Sequence, residues 1–108
     1  MAKPTPTRAS GADRTARILA RVRAIPEGFV QTYGDIDPRA PRLVGRVLAT
    51  TTENVPWHRV VRADGTVPMG RSQIQRLHKE GVDVRGDRVD LRKARWRDVS
   101  PVTKPRTR

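Results

Sequence analysis

The residues best placed to do chemistry lie in Val55-Pro56-Trp57-His58-Arg59-Val60-Val61, where an indole stands beside an imidazole inside an otherwise apolar and basic run. Transfer of a group onto a side chain needs a soft, ionisable nucleophile, and an indole is neither. The chain contains no cysteine. Its absence excludes disulfides, thiolate zinc sites and every cysteine nucleophile together. A second set is Arg42 and Arg46, one helical turn apart with Gly45 beside them. The whole chain carries 23 Lys plus Arg against 11 Asp plus Glu, a formal net charge of +12 on 108 residues. That excess is far beyond what solubility requires and points to a polyanionic partner, of which nucleic acid is the commonest.

The elements that must position these residues follow from periodicity and punctuation. Ile18, Leu19, Val22 and Ile25 recur at helical spacing from about Asp13 to Ile25, with Arg17, Arg21 and Arg23 mainly off the stripe. Pro26-Glu27-Gly28 ends that helix, and Phe29 to Gln31 is expected to be a short extended piece. Thr32-Tyr33-Gly34-Asp35 reads as a capped start, Thr32 at the N-cap and Asp35 at the third helical position, with Pro38 ending a short helix. Pro41 suits the first position of the next helix, which runs to about Ala49 with Leu43, Val44, Val47 and Leu48 on its apolar face. Two short helices across a tight turn, the second basic on its outer face, make a helix-turn-helix; the bland alternative is a solvated arginine face. Gly45 lowers helix stability and therefore suggests a close approach of something large.

Beyond the polar loop Thr50 to Asn54, Arg59-Val60-Val61 is expected to be a short strand and Ala63-Asp64-Gly65 a turn. Ser72 to Glu80 reads as a helix with a capping box from Ser72 and Gln75, apolar contacts from Ile74 and Leu77, and Gly81 at its C-terminal cap. Val82 and Val84, then Val89 and Leu91, alternate about the turn at Arg85 to Arg88 and predict a terminal hairpin, with Arg85-Gly86-Asp87 as that turn and nothing more. Trp96, among Arg92, Lys93, Arg95 and Arg97, is expected to pack against the core. Residues 1–12 and 97–108 are Pro, Thr and Arg rich without hydrophobic period and read as flexible basic tails around one domain at 13–96. No run of about 18 apolar residues and no apolar signal core is present, and there is no internal repeat, so the expectation is a cytoplasmic protein.

Several of these strings together resemble the O6-alkylguanine-DNA alkyltransferases, the methylated-DNA-protein cysteine methyltransferase family. Pro56-Trp57-His58-Arg59-Val60 is similar to their Pro-Cys-His-Arg-Val. Ile25-Pro26-Glu27-Gly28-Phe29-Val30-Gln31-Thr32-Tyr33-Gly34-Asp35-Ile36 resembles their entry to the helix-turn-helix, Arg42-Leu43-Val44-Gly45 their recognition helix, and His78-Lys79-Glu80-Gly81 their Glu-Gly helix end. With Trp57 in place of the reactive cysteine, the chain most resembles the alkyltransferase-like subgroup.

That resemblance implies a small α/β domain, mainly helical, with a winged helix-turn-helix of the alkyltransferase C-terminal type acting from the minor groove of duplex DNA. It implies a non-enzymatic sensor that binds O6-alkylguanine, flips the base, transfers nothing and presents the lesion to nucleotide excision repair proteins. No cofactor or metal is implied, and a monomer, associated with the nucleoid when on DNA, is expected. Arg42 would be the finger that fills the gap left by the base, and Tyr33 would help rotate the nucleotide. Thr32, Tyr33, Arg39, Arg42, Gly45 and Arg46 would meet DNA. The lesion pocket would be lined by Trp57, Tyr33, Pro56, Val67, Met69 and Arg71, an indole wall tolerating alkyl groups of different size. His58 and Glu80 match a proton relay in active members; with no nucleophile left, a structural remnant is expected.

Two departures stand out. The segment between Tyr33 and Arg42 is short, so the first helix of the motif must shrink to about a single turn. Val67-Pro68-Met69-Gly70-Arg71 replaces the usual pocket loop, so that Met69 lines the pocket and Arg71 meets a base or phosphate, or the segment is a plain surface loop. The rivals are a dimeric helix-turn-helix transcriptional or architectural DNA-binding protein without lesion preference, and a transferase using another nucleophile.

Overall fold

The computed structural model describes residues 11–97, with side chains from 13 onward. The tails expected at 1–12 and 97–108 lie outside this range except for residues 11, 12 and 97. The first helix, α1 (Gly11–Ala24), buries Ile18, Leu19 and Val22 on one stripe, with Ile25 just beyond its end. A short strand β1 (Gln31–Thr32) leads directly into α2 (Tyr33–Ile36), a single turn as the spacing demanded. Its start is held by the anticipated capping box: Asp35 N donates to Thr32 Oγ1 at 3.1 Å and Thr32 N to Asp35 Oδ2 at 3.0 Å. After the Pro38 turn comes α3 (Pro41–Thr50), with proline at its first position and Val44 and Val47 buried.

The Trp57 segment behaves differently from expectation. Trp57–Arg59 forms a 3-10 turn and only Val60–Val61 is strand, β2, so Arg59 is not part of it. β2 pairs in parallel with β1, Gln31 against Val60 and Thr32 against Val61. The two residues of β2 point to opposite faces. Val60 joins the cluster of Ile18, Val22, Ile36 and Val44; Val61 joins that of Val30, Val67, Leu77 and Val89. The small sheet therefore separates two cores, the helix-turn-helix on one side and the wing on the other.

The next helix, α4, spans Gly70–Lys79 and starts before Ser72. Ser72 is inside the first turn, so the Ser72–Gln75 capping box does not form. The cap position, Met69, has no side-chain cap of its own, and its amide is instead taken by Gln73 Oε1 at 3.1 Å. At the other end Glu80 is the cap and Gly81 follows it at φ +85, with Gly81 N donating to His78 O and Val82 N to Leu77 O, the paired bonds of a left-handed helix stop. Strands β3 (Val84–Arg85) and β4 (Arg88–Val89) form the predicted hairpin. Gly65 in the preceding turn sits at φ +90, where a Cβ would come within 2.5 Å of Val89 O, so only glycine fits under the wing. Leu91 leaves the hairpin to begin a further one-turn helix, α5 (Leu91–Ala94), capped by Asp90; periodicity over four residues gave no warning of it. The chain then bridges in parallel to Val30, just before β1, Val30 N to Ala94 O at 2.9 Å and Trp96 N to Val30 O at 2.8 Å, and Trp96 packs against the first core as expected. The architecture is mainly helical α/β, with the winged helix-turn-helix the sequence implied.

Candidate nucleic-acid interface

Arg39 in the α2–α3 turn and Arg42 and Arg46 on α3 are all exposed. Among the described residues none of the three guanidinium groups pairs with a carboxylate; Arg39 meets one only through its backbone N–H, which donates to Asp37 Oδ1 at 3.1 Å. The acids of the same motif are engaged elsewhere. Asp37 takes the Arg14 guanidinium at 3.1 Å and Asp35 that of Arg95 at 3.0 Å. Arg14 holds the Asp37 carboxyl below its ordinary range; for Asp35 burial pushes upward, yet the Arg95 and Thr32 hydrogen bonds prevail and lower it. Positive charge on the outer face of α3 is thus left for a partner.

Beside this face lies a cavity of about 300 Å³. Tyr33, Gly45, Leu48 and Ala49 line it from the helix-turn-helix, and Trp57, Val60, Met69 and Gln73 from the opposite side. Gly45 has an internal reason as well as any external one: a Cβ there would stand 3.7 Å from Tyr33 Cε1, so the tyrosine ring is the group that approaches it within the fold. Burial pushes the Tyr33 hydroxyl pKa up, and the charge of Arg62 pulls it partly back. Trp57 meets the His58 ring edge-on, centroids 6.0 Å apart at 88°, while the Arg76 guanidinium lies 5.4 Å from the indole centroid. An exposed cation–π contact of this kind contributes about 0.5–1 kcal/mol and restrains the ring.

Of the six residues expected in the pocket, Tyr33, Trp57 and Met69 come together there. The other three do not line it. Pro56 sits at the start of the 3-10 turn, its carbonyl accepting from Arg59 N at 3.0 Å. Val67 is 5% exposed and packs with Leu77 and Val89, because the loop needs one apolar anchor and the second core supplies the site for it. Arg71 is exposed in the first turn of α4.

Sequence reasoning missed Gln73 and Arg76. Gln73 is fully buried, and its amide donates to His58 O at 3.0 Å and Val60 O at 2.8 Å while accepting from Met69 N. One side chain thereby holds the Trp57 turn, β2 and the start of α4 in register. The signal was present: Gln73 lies four residues before Leu77, a polar residue on the apolar stripe.

His58 and Glu80 do meet, Nε2 to Oε2 at 2.7 Å. The unforeseen third partner is Arg59, whose Nε and Nη2 donate to Glu80 Oε1 and Oε2 at 2.9 and 2.7 Å, and whose Nη1 donates to Ile25 O at 2.9 Å. The Arg59 pair outweighs burial and, with His58, brings the Glu80 carboxyl down to about 2. The group ties the end of α1, the 3-10 turn and the end of α4 together. Among the described residues, no group of three or more His, Asp or Glu could hold a metal ion.

The family model described as "6-O-methylguanine DNA methyltransferase, DNA binding domain" matches residues 13–82. The DNA base-flipping protein of Escherichia coli (strain K12) is 45% identical over 92 residues, covering 74% of this chain and 71% of that protein. Two solved structures of S. pombe proteins superpose on the chain, each covering 80% of it and 96% of the matched chain. One, Atl1 in complex with damaged DNA containing O6-carboxymethylguanine, has a TM-score of 0.71 and 28% identity. The other, an ATL in complex with DNA, has a TM-score of 0.73 and 29% identity.

Proposed function

Because this chain belongs to the family of the 6-O-methylguanine DNA methyltransferase DNA-binding domain, we propose that it binds duplex DNA carrying O6-alkylguanine and rotates the damaged base into the cavity beside α3 without transferring the alkyl group. The observation that carries this reading is Trp57: it stands in the cavity wall, at the place in the motif where the resembling enzymes have their thiol, in a chain without any cysteine. An indole gives an alkylated purine a flat apolar surface and offers no electron pair soft enough to take its alkyl group. The base-flipping name of the bacterial relative and the damaged DNA bound by the S. pombe neighbour support the same partner.

In this mechanism α3 lies against the duplex and Arg39 and Arg46 neutralise phosphates. Unstacking a base costs a few kcal/mol and less for an alkylated guanine that pairs badly, so damage is favoured before the alkyl group is touched. Arg42 fills the vacated stack, its planar cation able both to stack and to hydrogen-bond the orphaned base. Tyr33, wedged between Gly45 and the cavity, bears on the backbone of the rotated nucleotide. A cavity of about 300 Å³ is at the small end of the range that encloses organic ligands. His58 and Glu80 act as structure, holding the floor beneath Trp57. The domain at 13–96 works as a monomer in the cytoplasm, on the nucleoid when bound, and its product is a marked lesion handed to nucleotide excision repair. No described helix is long and apolar enough to cross a membrane.

The test is the affinity for a short duplex with one O6-methylguanine against the same duplex with guanine, at one fixed moderate salt concentration. Preference for the lesion by tenfold or more, about 1.4 kcal/mol, is expected. Equal binding overturns the reading and leaves a helix-turn-helix binder without lesion preference.

A further inference from the structure

The parallel register of β1 and β2 has a consequence at the mouth of the cavity. Thr32 pairs with Val61, so the residues that follow them, Tyr33 and Arg62, leave the sheet side by side. Tyr33 lines the cavity, as does Val60 two residues before Arg62. The Arg62 backbone is pinned in its turn: its N–H donates to Thr66 O at 2.9 Å and its carbonyl accepts from Gly65 N at 2.8 Å. Its side chain is exposed and has one long bond, Nη1 to Thr66 Oγ1 at 3.4 Å. The nearest acid in the turn, Asp64, is committed elsewhere, to Thr66 N and Oγ1 at 3.0 and 2.7 Å and to Arg88 at 3.9 Å. Arg62 is thus a positioned cation with no carboxylate partner among the described residues, on the β2 bank of the cavity, while Arg42 and Arg46 stand on the α3 bank.

We propose that Arg62 is a second phosphate-binding residue, gripping the DNA backbone beside the rotated nucleotide from the side opposite α3. This deepens the base-flipping reading and rests on it. A nucleotide turned out of the helix displaces its own phosphates toward the pocket rim, and cations on both banks hold that bent backbone where a single basic helix holds only one side. Guanidinium suits the task because its fork matches two phosphate oxygens at once. Arg62 reaches this position through the sheet register, and its neighbour Tyr33 contributes the aromatic edge between the two banks.

Binding of wild type, Arg62→Ala, Arg62→Lys and Arg17→Ala is measured as a function of salt on the O6-methylguanine duplex and on its guanine counterpart. Arg17→Ala removes an exposed charge of the same kind from α1 and controls for net charge. Loss of one phosphate contact reduces the magnitude of the negative slope of log K against log salt by about 0.9. For Arg62→Ala that change is expected together with about a tenfold loss of affinity on the lesion duplex and a smaller loss on guanine; Arg62→Lys keeps the slope. An Arg62→Ala variant no different from Arg17→Ala, in a protein whose wild type prefers the lesion, overturns the assignment of Arg62. A wild type without lesion preference overturns the base-flipping reading itself, and the grip on a rotated nucleotide with it.

Discussion

Trp57 is held on two sides, edge-on against His58 and under the Arg76 guanidinium 5.4 Å from its centroid. Replacing it with cysteine restores a thiol beside the retained His58–Glu80 pair, but not the pocket a thiol needs. The cavity wall has been shaped for a ring, and a cysteine there is much smaller than the indole it replaces. Trp57→Cys is therefore expected to show no methyl transfer from O6-methylguanine DNA by mass spectrometry of the intact protein; a protein gaining one methyl per molecule would refute this. Gln73 offers a sharper separation of shape from chemistry. Gln73→Leu keeps the volume and strands Met69 N, His58 O and Val60 O, each of which now has Gln73 as a partner. Leaving buried polar groups unpaired costs about 1–3 kcal/mol each, less where they relax toward water, so urea unfolding should register a loss of about 3 kcal/mol.

Among the elements, the ends of α1 and α4 and the 3-10 turn between them are joined through one carboxylate. Glu80 accepts from Nε and Nη2 of Arg59 and from His58, and its folded pKa of about 2 lies below the ordinary 4.5. A carboxyl depressed in this way stabilises the fold fully above about pH 4.5 and loses that contribution as pH falls toward 2. The measured stability of the wild type should accordingly drop across that window. Glu80→Gln should be less stable at neutral pH and show a flatter decline, the remainder coming from Asp35, Asp37 and Asp64, whose pKa values are also lowered. Urea midpoints at pH 6 and pH 3 for the two proteins decide it, and parallel declines would show that Glu80 is not the group responsible.

At the scale of the whole molecule, the formal charge of +12 and the exposed arginines on α3, in the turn before it and just after β2 predict how binding responds to salt. Arg39 and Arg46, if each neutralises one phosphate, give a slope of log K against log salt of about −1.8 on damaged and undamaged duplexes alike, and Arg62 adds about −0.9 where a nucleotide is rotated out. The lesion preference should therefore fall only modestly over the same range, since most of it arises from unstacking and contacts in the cavity. A preference that vanishes with salt would put recognition in the phosphates instead. The amino-acid sequence by itself determined what depends on neighbours within a few residues: the stripe of α1, the Thr32–Asp35 capping box, the single-turn α2, proline at the head of α3, the hairpin at Gly86, and the loss of any thiol chemistry. It could not decide what depends on distant packing. The two-residue strands β1 and β2 carry no period and become a sheet only because Val60 and Val61 each find a core on opposite faces. For the same reason the inward turn of Val67, the early start of α4 under Gln73, the Arg59–Glu80 pair 21 residues apart and the placing of Arg62 beside Tyr33 were settled by the tertiary structure, where burial and hydrogen-bond satisfaction between remote segments outweigh local preference.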